Sequence, residues 1–261
     1  MHLIATEHQV VAAQQPASAA RRERRLVDWI LLTAVGCFVA LALPFFLGHV
    51  YVADDLGEFH LPLRAFYAQQ LAASQPFDWM PGLYGGFYVT AEGQLGAYHP
   101  LHFALYRWLP FGAAFDLELL ISYPFLFAGT YFLLQHWLSR RSAALFGALA
   151  FTFGGFNLLH FVHPNAIAIV AHLPWLLLAI EVALSETPGP RRATALLAVG
   201  LLTASQLLLG YPQYVWFSLL AETVYAVWRA VSLRVPLVRI GALLLVVLFG
   251  VLAAGVQCCQ R

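Results

Sequence analysis

The chain has no lysine, only three cysteines and little charge of either sign, with Asp, Glu, Lys and Arg making up 10% of its 261 residues. Each shortage excludes something. All 14 basic residues are arginines, scattered in small groups and set against 13 acids for a net charge of +1. That leaves no basic face to follow a nucleic-acid backbone, so no nucleic-acid partner is expected. Cys37 sits in an apolar run and Cys258 and Cys259 are adjacent, which gives neither a disulfide framework nor a metal-ligand spacing. No internal repeat of roughly 20 to 50 residues is visible.

Apolar sequence is what the chain has in abundance: 61% of residues are hydrophobic, the mean hydropathy is +0.73, and apolar runs of about 20 residues recur. Length alone would fit one or two soluble domains, but hydropathy overrides it and points to an all-α membrane protein. Residues 1–25 read as a polar, disordered cytoplasmic tail ending in Arg21, Arg22, Arg24 and Arg25, and 26–261 as the multi-span domain. The first run has no cleavage site and stays in the bilayer. About seven transmembrane helices are expected, near 27–49, 114–138, 142–159, 165–184, 193–210, 212–230 and 237–256.

Arginine placement fixes an orientation. The N-terminal arginines, Arg140–Arg141, Arg191–Arg192 and the trio Arg229, Arg234, Arg239 fall on alternate connections, which puts them all on the cytoplasmic side of a seven-span protein. Residues 51–112 then form a large first extracytoplasmic loop with short helices. Its segment 99–112 is apolar but too short to cross, and reads as an interfacial or re-entrant helix.

That loop concentrates the scarce charges. Asp54, Asp55, Glu58, Asp78 and Glu92 are five of the 13 acids. They are interleaved with Phe77, Trp79, Tyr84, Phe87, Tyr88 and Tyr98, a density of aromatics that calls for packed structure rather than a tether. If a helix starts at residue 54, Asp54 and Glu58 share a face. Acids there also suit a helix N-terminus, which is a purely structural account. The functional account is a carboxylate at the water–lipid boundary, positioned to deprotonate a hydroxyl or to hold a divalent cation beside a phosphate. Two outer turns bring His160, His163 and Asn165, and Tyr211 and Gln213, to the same side, where they could line one pocket. Asp116 and Glu118 open the second span and extend this acidic mouth. Within the bilayer Glu222 must face protein, be paired or be protonated, with His172 and Gln206 as partners at similar depth, whether for structure or for function.

The ordered set "DDLGEFHLPLRAFYAQQL", Trp79-Met80-Pro81, the glycines at 82–86, "AEGQLGAYHP", "ALFGALAFTFGGFNLLHFVHPN" and "LLLGYPQY" resembles the YfhO-like bacterial membrane proteins over residues 27–256. That family is grouped with the GT-C type glycosyltransferases. The resemblance implies a multi-span enzyme of the bacterial cytoplasmic membrane that takes a sugar from a polyprenyl-phosphate carrier to a cell-envelope glycopolymer acceptor. Asp54 or Asp55 would be the catalytic base or metal-contacting acid, with Glu58 and His60 in support. Gln94, Tyr98 and His99 would form the pocket rim, Arg64 and Arg107 would offset phosphate charge, and His163 and Gln213 would contact substrate. A divalent cation is the one cofactor to consider. Such proteins carry more spans than this chain, which implies an N-terminal fragment. A transporter or flippase of a lipid-linked substrate, centred on Glu222, His172 and Gln206, is the competing expectation, and an inactive scaffold a third.

Overall fold

The computed structural model describes the backbone of residues 2–255 and the side chains of residues 18–255; Cys258 and Cys259 lie outside the described residues. Among the described residues twelve α-helices run in order, α1 (His2–Phe46), α2 (Leu61–Ala73), α3 (Val89–Glu92), α4 (Pro100–Trp108), α5 (Phe111–Leu120), α6 (Ser122–Trp137), α7 (Arg141–Thr152), α8 (Gly155–Leu159), α9 (Pro164–Ser185), α10 (Pro190–Leu208), α11 (Pro212–Ser232) and α12 (Leu237–Ala253). A π-helical turn, Leu56–His60, leads directly into α2, and a two-stranded antiparallel hairpin pairs β1 (Trp79–Met80) with β2 (Phe87–Tyr88).

Proline sets where many of these helices begin. In α2, α4, α9, α10 and α11 it occupies the first turn, where its fixed φ suits the helix and its missing N–H is no loss. Four stretches, Ser18–Phe46, Phe111–Trp137, Arg141–Val162 and Pro164–Ser185, are long and apolar enough to cross a membrane. The second joins α5 and α6, and the third joins α7 and α8. The helices α10, α11 and α12 are 19, 21 and 17 residues long.

The bundle is organised around α9, on which α5, α6, α10, α11 and α12 all pack. Its buried residues Ala179, Ile180 and Leu184 meet Val199 of α10 and Leu243 of α12. The two latter helices approach closely because Gly250 leaves room: a Cβ there would stand 2.5 Å from the Gly200 carbonyl oxygen.

The part of the tail whose side chains are described is helical, where disorder was expected. Glu23 supplies a reason. Its carboxylate accepts from the Ser142 amide and hydroxyl, both at 2.9 Å, and so satisfies one free N–H group at the start of α7. That bond fixes the arginine-rich end of α1 against the bundle.

Residues 51–120 form a second packed layer. Leu56, Leu63, Tyr67, Leu71, Val89, Leu95, Tyr106, Phe115 and Leu119 make one buried apolar cluster, with Phe77, Phe87 and Tyr98 packed against it. The aromatic loop is therefore folded, as its composition implied. The α10–α11 turn docks onto it: the Tyr211 amide donates to the Gly93 carbonyl at 2.7 Å, and Gly210, at φ +82°, would place a Cβ 2.0 Å from that same oxygen. Only glycine permits this approach.

Candidate functional site

Arg64 on α2 is 0% exposed, and every part of its guanidinium is used. Nε and NH2 donate to the two oxygens of Glu118 on α5 at 3.3 and 2.7 Å, NH1 donates to the Gln94 carbonyl at 3.1 Å, and NH2 also reaches Asn165 Oδ1 at 2.9 Å. Asn165 Nδ2 in turn donates to the Gln94 and Leu209 carbonyls. Glu118 takes a further bond from the Tyr106 hydroxyl at 2.5 Å, and His102 Nε2 lies 3.6 Å away. One buried charge pair thus ties α2, the 94–96 segment, α4, α5, α9 and the α10–α11 turn together. This corrects the expectation that Arg64 binds a phosphate. Burying a guanidinium costs several kcal/mol unless it is fully paired, on the order of magnitude known for buried ions, so its partners must be protein groups held in place. Burial works against the charge of Arg64, but the Glu118 carboxylate more than compensates and holds its pKa up.

The segments that lead into α2 and α9 carry a second, half-exposed pair. Asp55 precedes the π-helical turn that leads into Arg64, and His163 sits two residues before Asn165. His163 Nε2 lies 3.0 Å from Asp55 Oδ2, with the side chains 31% and 49% exposed. The other ring nitrogen of His163 is buried without a partner. π-helical turns of this kind recur at functional sites. Asp54 is exposed at φ +53°, and its carbonyl organises the turn by accepting from the Gly57 and Glu58 amides at 3.0 and 3.2 Å. Glu58 is exposed. His60 is buried with Nδ1 unpartnered, and burial, aided by the charge of Arg64, lowers its pKa to about 3.

An aromatic shelf leads inward from this pair. His163 faces His160 at 5.6 Å between ring centroids, His160 stacks on Phe156 at 4.1 Å, and Tyr214 lies 6.1 Å from His160 and stacks on Tyr211 at 4.8 Å. Phe156 and Tyr214 then line a slot of about 160 Å³ between α8, α9 and α11, whose other walls are Ile169, Val170, Leu173, Phe217 and Ser218.

The remaining expected residues are dispersed. Gln94 has its side chain on Glu92 at 2.8 Å and its carbonyl on Arg64 and Asn165. Tyr98 donates to Asp78 at 2.9 Å. His99 is buried, not at a rim: Nε2 meets Ser205 Oγ at 2.9 Å, and burial, together with His102 nearby, lowers its pKa to about 2. Arg107 and Gln213 are exposed. Glu222 accepts from Gln206 at 3.1 Å and Ser218 at 2.8 Å, as expected for Gln206. His172 is not its partner; it binds Ser205 at 2.8 Å and the Ala168 carbonyl at 2.7 Å. A donor on Nδ1 leaves His172 Nε2 as acceptor, so Ser205 gives its proton to His172 and receives one from His99. That logic strands His99 Nδ1, which is indeed buried and unpartnered.

Sequence reading missed Ser205 and the cluster at the far end of the bundle, where Glu181 binds Arg229 and accepts from Tyr225 at 2.7 Å. The presence of Glu181 and Arg229 in apolar runs was the available signal. Among the described residues no group of three or more His, Cys, Asp or Glu side chains could hold a metal ion. A cation drawn to Asp54 and Asp55 would take its other ligands from water or a phosphate. Comparisons with protein-family models, curated proteins and solved structures returned no match for this chain.

Proposed function

We propose that this chain acts at the outer face of a bacterial cytoplasmic membrane as a glycosyltransferase, moving a sugar from a polyprenyl-phosphate carrier to a hydroxyl of a cell-envelope glycopolymer. In this reading α1, α5–α6, α7–α8, α9, α10, α11 and α12 are seven spans, the last three covering about 25 to 32 Å at 1.5 Å per residue. The arginine-bearing turns then face the cytoplasm. One observation carries the reading: the half-exposed Asp55–His163 pair stands beside an aromatic shelf that ends in an apolar slot, an arrangement that would let a water-borne acceptor and a lipid carrier reach one carboxylate.

The roles follow from which atoms are accessible. His163 presents Nε2 to Asp55 and buries Nδ1, so it orients the carboxylate and is not itself the base. Asp55 then takes the proton of the acceptor hydroxyl as that oxygen bonds to the sugar and the carrier phosphate leaves. The slot between α8, α9 and α11 receives the first isoprenoid units of the carrier. Phosphate charge is met by a cation, since Arg64 is committed to Glu118 and His163 to Asp55. In membranes supplied with a labelled polyprenyl-phosphate sugar, Asp55→Asn should abolish transfer while Glu222→Gln retains it.

A second reading, movement of a lipid-linked substrate across the bilayer, is favoured by Glu222, which lines a cavity of about 280 Å³ between α9, α11 and α12. It requires the opposite outcome, with Glu222 indispensable and Asp55 replaceable.

A further inference from the structure

A groove of about 460 Å³ runs along the α9–α10 hairpin, far from Asp55 in sequence and carried by different turns of α9. Its walls include Trp175, Leu178, Val182, Ala198 and Leu202, and it closes at one end on Arg191 and Thr194. From Arg191 to Leu202 is 11 residues of α10, or about 17 Å of helix. The groove is therefore apolar along its length and cationic at one end.

The charge at that end is in excess. Arg192 Nε donates to the Ala183 carbonyl at 3.1 Å, and Arg239 NH1 donates to the Leu184 and Glu186 carbonyls at 3.2 and 3.1 Å. These bonds occupy N–H groups without cancelling either positive charge. The one acid present, Glu186, lies 3.2 Å from Arg191, with side chains 33% and 80% exposed, an ion pair weak enough to exchange partners. Three guanidinium groups thus surround a turn that holds one carboxylate. The helix α9 is long and apolar enough to cross a membrane, and if it crosses, the turn after Ser185 lies at a membrane surface.

We propose that this groove binds one acyl chain of an anionic phospholipid, with the lipid phosphate at Arg191. The inference rests on the membrane reading of α9 and is independent of the transferase reading. A phosphatidylglycerol headgroup supplies the missing negative charge, whereas phosphatidylcholine brings its own cation toward the arginines. Basic groups near a membrane surface each strengthen binding of anionic lipid by about fivefold.

The test uses the full chain in mild detergent, with dioleoylphosphatidylglycerol, dioleoylphosphatidylcholine or sodium phosphate added, and counts retained lipid by native mass spectrometry. Phosphatidylglycerol should be retained about fivefold or more over phosphatidylcholine. Arg191→Gln should remove most of that preference, Thr194→Trp should block retention by filling the groove, and Glu186→Gln should increase it by freeing Arg191. Both Arg191 and Thr194 are exposed, so neither substitution disturbs the buried core. Equal retention of the two lipids would overturn the proposal, as would unchanged retention in Arg191→Gln and Thr194→Trp. Displacement of the lipid by millimolar sodium phosphate alone would overturn it too, by showing a small-anion site.

Discussion

Replacing Glu118 by Gln tests whether the buried charge pair holds the outer layer onto the bundle. Glu118 is 5% exposed and Arg64 0%, and the carboxylate receives two bonds from Arg64 and one from Tyr106. The amide keeps the shape but removes the countercharge, leaving a guanidinium with no opposite charge in reach and no water to solvate it. Breaking a buried pair from one side costs about 3 to 5 kcal/mol. At about 2 to 4 °C per kcal/mol for a chain of this size, the unfolding midpoint in detergent should fall by roughly 10 °C. The double variant Arg64→Met, Glu118→Leu removes both charges and should recover much of that loss, because the penalty belongs to the stranded partner rather than to the missing bond. Thermal melts of Glu118→Gln, the double variant and the two singles that compose it decide it. A Glu118→Gln loss below about 1 kcal/mol, or a double variant as damaged as the sum of its singles, would refute the reasoning.

Acid should weaken the protein in a defined window. His60 and His99 are held near 3 and 2 by burial, against 6.5 for a free imidazole, so both stay neutral when folded while the unfolded chain takes up protons. Their contribution is intact above about pH 6.5 and shrinks as pH falls, by about 2 kcal/mol each at pH 5; a stability profile flat from pH 7.5 to 5 contradicts this. Ser205→Ala removes the hydroxyl bridging His99 and His172 and should cost about 1 to 3 kcal/mol in the same melt, with no cost if water substitutes. Gly210→Ala should cost more than about 1 kcal/mol, since it adds strain at positive φ to a collision with the Gly93 carbonyl; an unaffected melt would mean the turn can shift.

Helices and their ends were the most legible part of the sequence, because apolar runs and prolines act locally. The docking of Gly210 on Gly93 depends on a contact between residues 117 apart in sequence and leaves only a glycine as a trace. At the site, sequence placed Asp55 and His163 on the same side but could not pair them, since pairing depends on how the segment before α2 meets the start of α9. Arg64 shows the limit most clearly. A lone arginine among acids on an outer loop suits a phosphate, and only the fold reveals Glu118, 54 residues away, already taking its charge. Glu222 found Gln206 as its depth suggested, whereas His172 turned toward Ser205, a difference of one position along α10 that periodicity does not resolve.

In the proposed transferase, Asp55 is the group that takes the acceptor proton. Initial rates of sugar transfer from a labelled polyprenyl-phosphate donor, measured in membranes with matched amounts of wild type, Asp55→Asn and His163→Gln, test that assignment. A base at Asp55 predicts a loss of at least about 10²-fold for Asp55→Asn and a smaller one for His163→Gln, which loses orientation but keeps the base. Wild-type rates in Asp55→Asn, or a deeper loss in His163→Gln than in Asp55→Asn, would contradict it.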